Sequence, residues 1–140
     1  MGYYKIGAQC IGTFDKVEDE DTDAIIGEEL VVDHWPEDDI LSAMVGGHFV
    51  TRRLADALSN AALTGFQLKP VNIVEGEQLY VSRKVHPGEE MPEILQLELT
   101  GKAGKDDFGR DKVLVVSERA MELLKKFSFK YRIVEDYVTV

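Results

Sequence analysis

The chain has a single cysteine, Cys10. One thiol excludes an internal disulfide and a zinc site built from cysteines. It fits a reducing compartment, and Cys10 itself reads as a small residue inside a strand. Long apolar runs are also missing, since nothing approaches the roughly 18 residues of a membrane-spanning helix. The opening Met1-Gly2-Tyr3-Tyr4-Lys5 lacks the basic-then-apolar order of a signal peptide. Ile6 stands where N-myristoylation needs a hydroxyl residue. The expectation is a cytoplasmic protein that does not engage a membrane. Positive charge is scarce as well: 16 basic residues against 26 acidic ones leave a net charge of −10. Binding to nucleic acid requires Lys and Arg to neutralise phosphates, so no nucleic-acid partner is expected.

Local signatures of catalysis are absent too. The three histidines, His34, His48 and His86, fall in separate loops or turns, with no His-x-x-x-His pair to hold a metal on one helix face. There is no Gly-x-Ser-x-Gly elbow. The stretch Gly101-Lys102-Ala103-Gly104-Lys105 suggests a phosphate loop, but its glycine spacing is wrong and no hydroxyl follows the lysine. Asp19, Asp21 and Asp23 match the first half of a calcium loop, which then fails at Ala24, where glycine is needed, and at Leu30, where the bidentate glutamate belongs. The chain is therefore expected to carry no catalytic residue, metal or cofactor, and not to be an enzyme.

What is present is one phrase used twice. Phe49-Val50-Thr51-Arg52-Arg53-Leu54-Ala55-Asp56-Ala57-Leu58 and Val115-Val116-Ser117-Glu118-Arg119-Ala120-Met121-Glu122-Leu123-Leu124 align at an offset of 66. In each, a β-branched run meets a hydroxyl residue and an apolar-periodic stretch follows. Val favours a pleated, half-buried surface, and Thr51 and Ser117 suit the first free N–H groups of a helix. Leu54, Ala57, Leu58 and Ala61 recur at helical spacing, as do Ala120, Leu123, Leu124 and Phe127. Alternating segments follow: Phe66, Leu68, Val71 after the first, and Phe129, Tyr131, Ile133 after the second. The reading is one α+β domain over 1–140, with a mixed or mostly antiparallel sheet and two helices on one face. It is built on strand–helix–strand pseudo-repeats at about 44–74 and 112–138.

Between these landmarks, residues 3–14 read as a first strand and 15–23 as a solvated acidic loop. The helix at about 52–62 ends with Gly65 as its cap. Residues 66–74, bent at Pro70, and 78–85 read as a hairpin. Glu93–Thr100 alternates as another strand, and 101–112 is a charged loop. Arg53 and Arg119 occupy equivalent places and read as exposed or salt-bridged, or as lining one groove. Trp35, beside Pro36 and the acids Glu37, Asp38 and Asp39, serves either as a partner anchor or as a lid on the core.

The Val115-to-Leu124 phrase, taken with Leu63-Thr64-Gly65-Phe66-Gln67-Leu68-Lys69-Pro70-Val71 and Leu79-Tyr80-Val81, resembles the immunity proteins of bacterial polymorphic toxin systems. The nearest type is immunity 11, also called DUF1629, which is similar to the double-CXXCG proteins. The likeness covers about residues 44–134. The double-CXXCG cysteine pairs are missing between Val85 and Val113, along with any metal they would carry. The resemblance implies a non-catalytic protein that binds and neutralises a toxin domain, expected to be basic; exposed strand edges allow a monomer or a dimer. The candidate interface is acidic: Asp19, Asp21, Asp23, Trp35, Glu37, Asp38, Asp39, Asp106 and Asp107. The alternative is a small-ligand-binding or enzymatic domain with a pocket between the repeats, lined by Arg53, Arg119, His48 and Tyr80.

Overall fold

A computed structural model describes residues 2–44, 46–130 and 133–138. The elements run in the order β1 (Tyr3–Gly7), β2 (Gln9–Glu18), β3 (Ile25–Val32), β4 (Ile40–Met44), β5 (His48–Thr51), α1 (Arg52–Asn60), β6 (Phe66–Pro70), β7 (Asn72–Glu75), α2 (Leu79–Arg83), β8 (Ile94–Leu99), β9 (Phe108–Asp111), β10 (Val113–Ser117), α3 (Glu118–Leu124) and β11 (Ile133–Tyr137). The expected α+β architecture is present, and its sheets are mostly antiparallel. One sheet has the order β11-β1-β10-β9 and the other β6-β8-β5-β4-β2-β3-β7. Among the described residues only the β2–β4 and β3–β7 pairs are parallel. The chain crosses between the sheets at Ala8, so the single strand expected over 3–14 is two strands in different sheets.

Two cores hold the layers together. Leu54, Ala55 and Leu58 of α1 and Ala120, Met121 and Leu124 of α3 share one core with Ile6, Leu114 and Val116 of the smaller sheet and Ile40, Val50 and Leu97 of the larger. A helix of nine residues is marginal by itself in water. Each fully buried leucine contributes about 2 kcal/mol, so α1 exists because Leu54 and Leu58 are buried here. The opposite face of the larger sheet carries the second core, Ile11, Leu30, Leu41 and Phe49, capped by Leu79 of α2.

Four strands in each sheet are arranged alike. In β6-β8-β5-β4 the strands before and after α1 flank an inserted strand, β8, antiparallel to both. In β11-β1-β10-β9 the strands before and after α3 flank β1 in the same way. Tyr131, part of the alternation expected after the second helix, lies outside the described residues.

Several local expectations are corrected. Residues 78–85 are not a strand: Leu79–Arg83 is the short helix α2, and β6 and β7 lie at opposite edges of the larger sheet instead of pairing with that segment. The charged stretch 101–112 contains β9, which forms a hairpin with β10 through Lys112 at φ 66°. The acidic loop 15–23 begins as strand, with β2 continuing to Glu18. Gly65 does not cap α1, which ends at Ala61. Its φ of +95°, and the 2.1 Å that would separate an added Cβ from the Phe108 carbonyl oxygen, mark a close backbone crossing instead.

Ser117 is a helix cap, accepting a hydrogen bond from the Ala120 N–H at 3.1 Å. Thr51 makes no such bond. Ser117→Ala loses this cap, worth about 1 kcal/mol, and the bond that its hydroxyl donates to the buried Asp107 carboxylate, so it is expected to cost about 2–3 kcal/mol, seen as a lower urea midpoint with unchanged slope. An unchanged midpoint would remove the cap from the account of α3.

Candidate functional site

The acids expected to face a partner divide into two groups. Asp38, Asp39 and Asp107 are buried, with Asp39 5% and Asp107 7% exposed. For these three the interface expectation is corrected. A buried carboxylate is tolerated only when paired and hydrogen-bonded, and these three are tied into the fold.

Asp39 precedes β4 and faces Thr51 across the hairpin. Thr51 Oγ1 donates to Asp39 Oδ1 at 2.5 Å. Arg53, on the first turn of α1, donates through Nε at 3.0 Å and Nη2 at 2.6 Å. The Ser128 N–H donates to Oδ2 at 2.8 Å. Asp107 precedes β9 and repeats the pattern. Ser117 Oγ donates at 2.6 Å, Arg119 forks onto it at 3.2 and 2.6 Å, and the Thr64 N–H donates at 2.9 Å. Asp38 accepts from the Lys130 N–H at 2.6 Å. Burial alone would raise the Asp107 pKa. The bonds from Arg119, Ser117 and Thr64 outweigh it and hold the group at about 2. Asp39 is lowered by the same competition, burial opposing the bonds from Arg53, Thr51 and Ser128.

Sequence reasoning missed these two clamps, although a signal existed. Asp38-Asp39-Ile40 and Asp106-Asp107-Phe108 each precede a hairpin that ends in the hydroxyl residue. The aspartates are offset by 68 and the hydroxyls by 66, so one alignment cannot register both.

Trp35 and Glu37 belong to a strap over 35–39 that is bound on several sides. Gln9 Nε2 donates to the Trp35 carbonyl, and Gln9 Oε1 accepts from the N–H groups of Glu37 and Asp38. The Trp35 N–H donates to Ser82 Oγ of α2 at 2.9 Å. The indole is buried and stacked on His86, with centroids 4.9 Å apart and planes 14° apart. Of the two roles open for Trp35, the structure shows the lid. His86 bonds Glu37 through Nε2 at 2.5 Å and Glu89 through Nδ1.

The four residues of the alternative pocket are not brought to a common wall. Arg53 lines a cleft of about 570 Å³ between the strap, α1 and residues 90–93, whereas Arg119 lines another, of about 530 Å³, with Tyr3 and Glu122. Tyr80 is exposed on α2. His48 is half-buried at the start of β5, close enough to Arg110 to feel its charge. Both arginines are salt-bridged to the clamp aspartates, with their side chains 67% and 64% exposed.

The remaining acids are at the surface. Asp106 is half-buried, its Oδ2 accepting from the Lys102 N–H. Asp19, Asp21 and Asp23 form the tip of the β2–β3 hairpin, where Asp19 Oδ1 accepts from the N–H groups of Asp21 and Thr22. Asp15, Glu18 and Glu20 precede or join that tip, and Glu28 and Glu29 follow it, with Lys16 the only cation over 15–29. Register places Asp15 directly opposite Glu29. Among the described residues none of these acids makes a salt bridge. Among the described residues, likewise, no group of three or more His, Cys, Asp or Glu side chains could hold a metal ion, and no helix is long and apolar enough to cross a membrane. Comparison with protein-family models, curated proteins and solved structures finds no match.

Proposed function

We propose that the protein is a non-catalytic, cytoplasmic binding protein of the immunity type, which uses the acidic β2–β3 hairpin to engage a basic toxin domain. One observation carries this reading. Like charges directly opposite in a sheet are destabilising, yet Asp15 and Glu29 face one another on a hairpin whose outer part, residues 15–29, carries eight acids and one cation, Lys16, set opposite Glu28. A local conflict of this kind is expected at functional positions, and a basic partner would relieve it. Complementary charge also speeds association and sets specificity. The buried aspartates hold the scaffold and leave the contact to the hairpin.

The test is co-purification from native lysate with wild-type protein and with a variant carrying Asp15→Lys, Glu18→Lys, Glu20→Lys, Asp21→Lys and Glu28→Lys. The expected result is one basic protein retained by the wild type, released by salt and lost in the variant. Retention of the same partner by the variant at unchanged strength would overturn the hairpin's role.

A further inference from the structure

We propose that His86 is a proton-operated latch that fixes the 86–92 loop to the Trp35–Glu37 strap, and that loss of its proton frees this loop at the mouth of the cleft beside α1. The geometry carries the inference. Both ring nitrogens meet carboxylate oxygens, Glu37 at Nε2 and Glu89 at Nδ1. An imidazole can donate from both nitrogens only as the imidazolium. Once neutral, it turns a lone pair towards one carboxylate, and one of the two bonds becomes a repulsion. The ring is also stacked on the Trp35 indole, whose own backbone is bound by Gln9 and Ser82. The strap is therefore the fixed jaw and the loop the moving one. Glu90, Met91 and Pro92 follow the latch and line the 570 Å³ cleft together with Pro36, Glu37 and Arg53. Opening would also release the Glu37 carboxylate into that cleft.

The charged groups around the ring are Glu37 from the strap, Glu89 from the loop and Arg83 from α2. The Arg83 guanidinium lies 5.9 Å from the indole centroid and is paired with Glu75. The bond to Glu37 raises the His86 pKa, burial opposes it, and the bond to Glu89 adds to the rise. The folded pKa thus lies above the ordinary 6.5. The latch is closed on the acid side of the folded value and opens as pH rises through it.

Trp35 is the only tryptophan, so its fluorescence reports the stack directly. The experiment follows Trp35 emission, the His86 NMR resonance and hydrogen exchange of 86–92 against pH, in the wild type, Glu89→Gln and His86→Phe. We expect a His86 midpoint above 6.5 and severalfold faster exchange in the loop, beyond the intrinsic pH effect, across the same midpoint. Glu89→Gln lowers the midpoint, and His86→Phe, which keeps the stack, abolishes the transition. Equal loop protection on both sides of the His86 midpoint overturns the proposal. So does a transition that persists in His86→Phe or, should that variant not fold, one unmoved in Glu89→Gln.

Discussion

Asp39→Ala is expected to destabilise the protein by about 3 kcal/mol, and Arg53→Ala by about 1–2 kcal/mol, although the two form one ion pair. The difference follows from burial. The Arg53 side chain is mostly solvated, which discounts its share of the pair, and without it the buried Asp39 carboxylate keeps the bonds from Thr51 and Ser128. Asp39 accepts from the buried Thr51 hydroxyl and from the Ser128 N–H as well as from Arg53. Hydrogen bonds to a charged group contribute about 1.5–3 kcal/mol each. Removing the carboxylate forfeits several of them and leaves Thr51 Oγ1 without its acceptor. Relief of the aspartate's own desolvation cost offsets part of this loss, which brings the sum down to about 3 kcal/mol. That is a large share of a typical 5–15 kcal/mol and corresponds to a fall in Tm of about 10 °C for a chain of this size. Urea unfolding of the two single variants measures it. Equal losses in the two would mean that the bonds from Thr51 and Ser128 add nothing to the ion pair.

Why the clamps escaped a reading of the sequence is a matter of range. Thr51 and Asp39 are 12 positions apart, Ser128 and Asp39 are 89, and Thr64 and Asp107 are 43. Each acid sits in a run of charge that reads locally as solvated surface, and only the hairpin register brings its donors to it. The helices α1 and α3 were legible because their burial is periodic and local: Leu54 and Leu58, and Ala120 and Leu124, lie on one face four residues apart. The strand β8 was legible for the same reason. The helix α2 was not. Tyr80, Val81 and Val85 suggest a strand, but all three are exposed. A single buried leucine and the bond from the Trp35 N–H to Ser82 decide its conformation. The strand β9 was hidden by Arg110 and Asp111, which are exposed at its end while Phe108 is fully buried. The β2–β3 tip was placed correctly as acidic surface, because repulsion among neighbouring carboxylates is itself a local property.

Between pH 6.5 and about 4 the protein is expected to lose about 3 kcal/mol of stability, and His48→Gln should remove most of that loss. Burial, and then the charge of Arg110, hold the His48 pKa down at about 4, against about 6.5 in an unfolded chain. Above 6.5 neither state binds the proton. Below it the unfolded chain takes up a proton that the fold refuses, so stability falls with pH at about 1.4 kcal/mol per unit until the folded group also titrates. Asp107 has a depressed pKa of the carboxylate kind. Its contribution is intact above about 3.8 and is lost only as pH falls towards 2, worth about 2 kcal/mol. His86 has the opposite sign, because its pKa is raised. Its contribution is complete below 6.5 and is lost on the alkaline side, so it cannot produce the acid arm. The first acid arm therefore belongs to His48 and the second to the clamps. Chemical denaturation at half-unit steps from pH 7 to pH 3 separates them. His48→Gln should flatten the profile above pH 4 and leave the steeper fall below it, whereas Asp107→Asn should weaken the protein at neutral pH and flatten the lower arm. Parallel slopes for wild type and His48→Gln between 6.5 and 4 would show that the histidine takes up its proton as readily in the fold as in water, and the burial argument for it would fail.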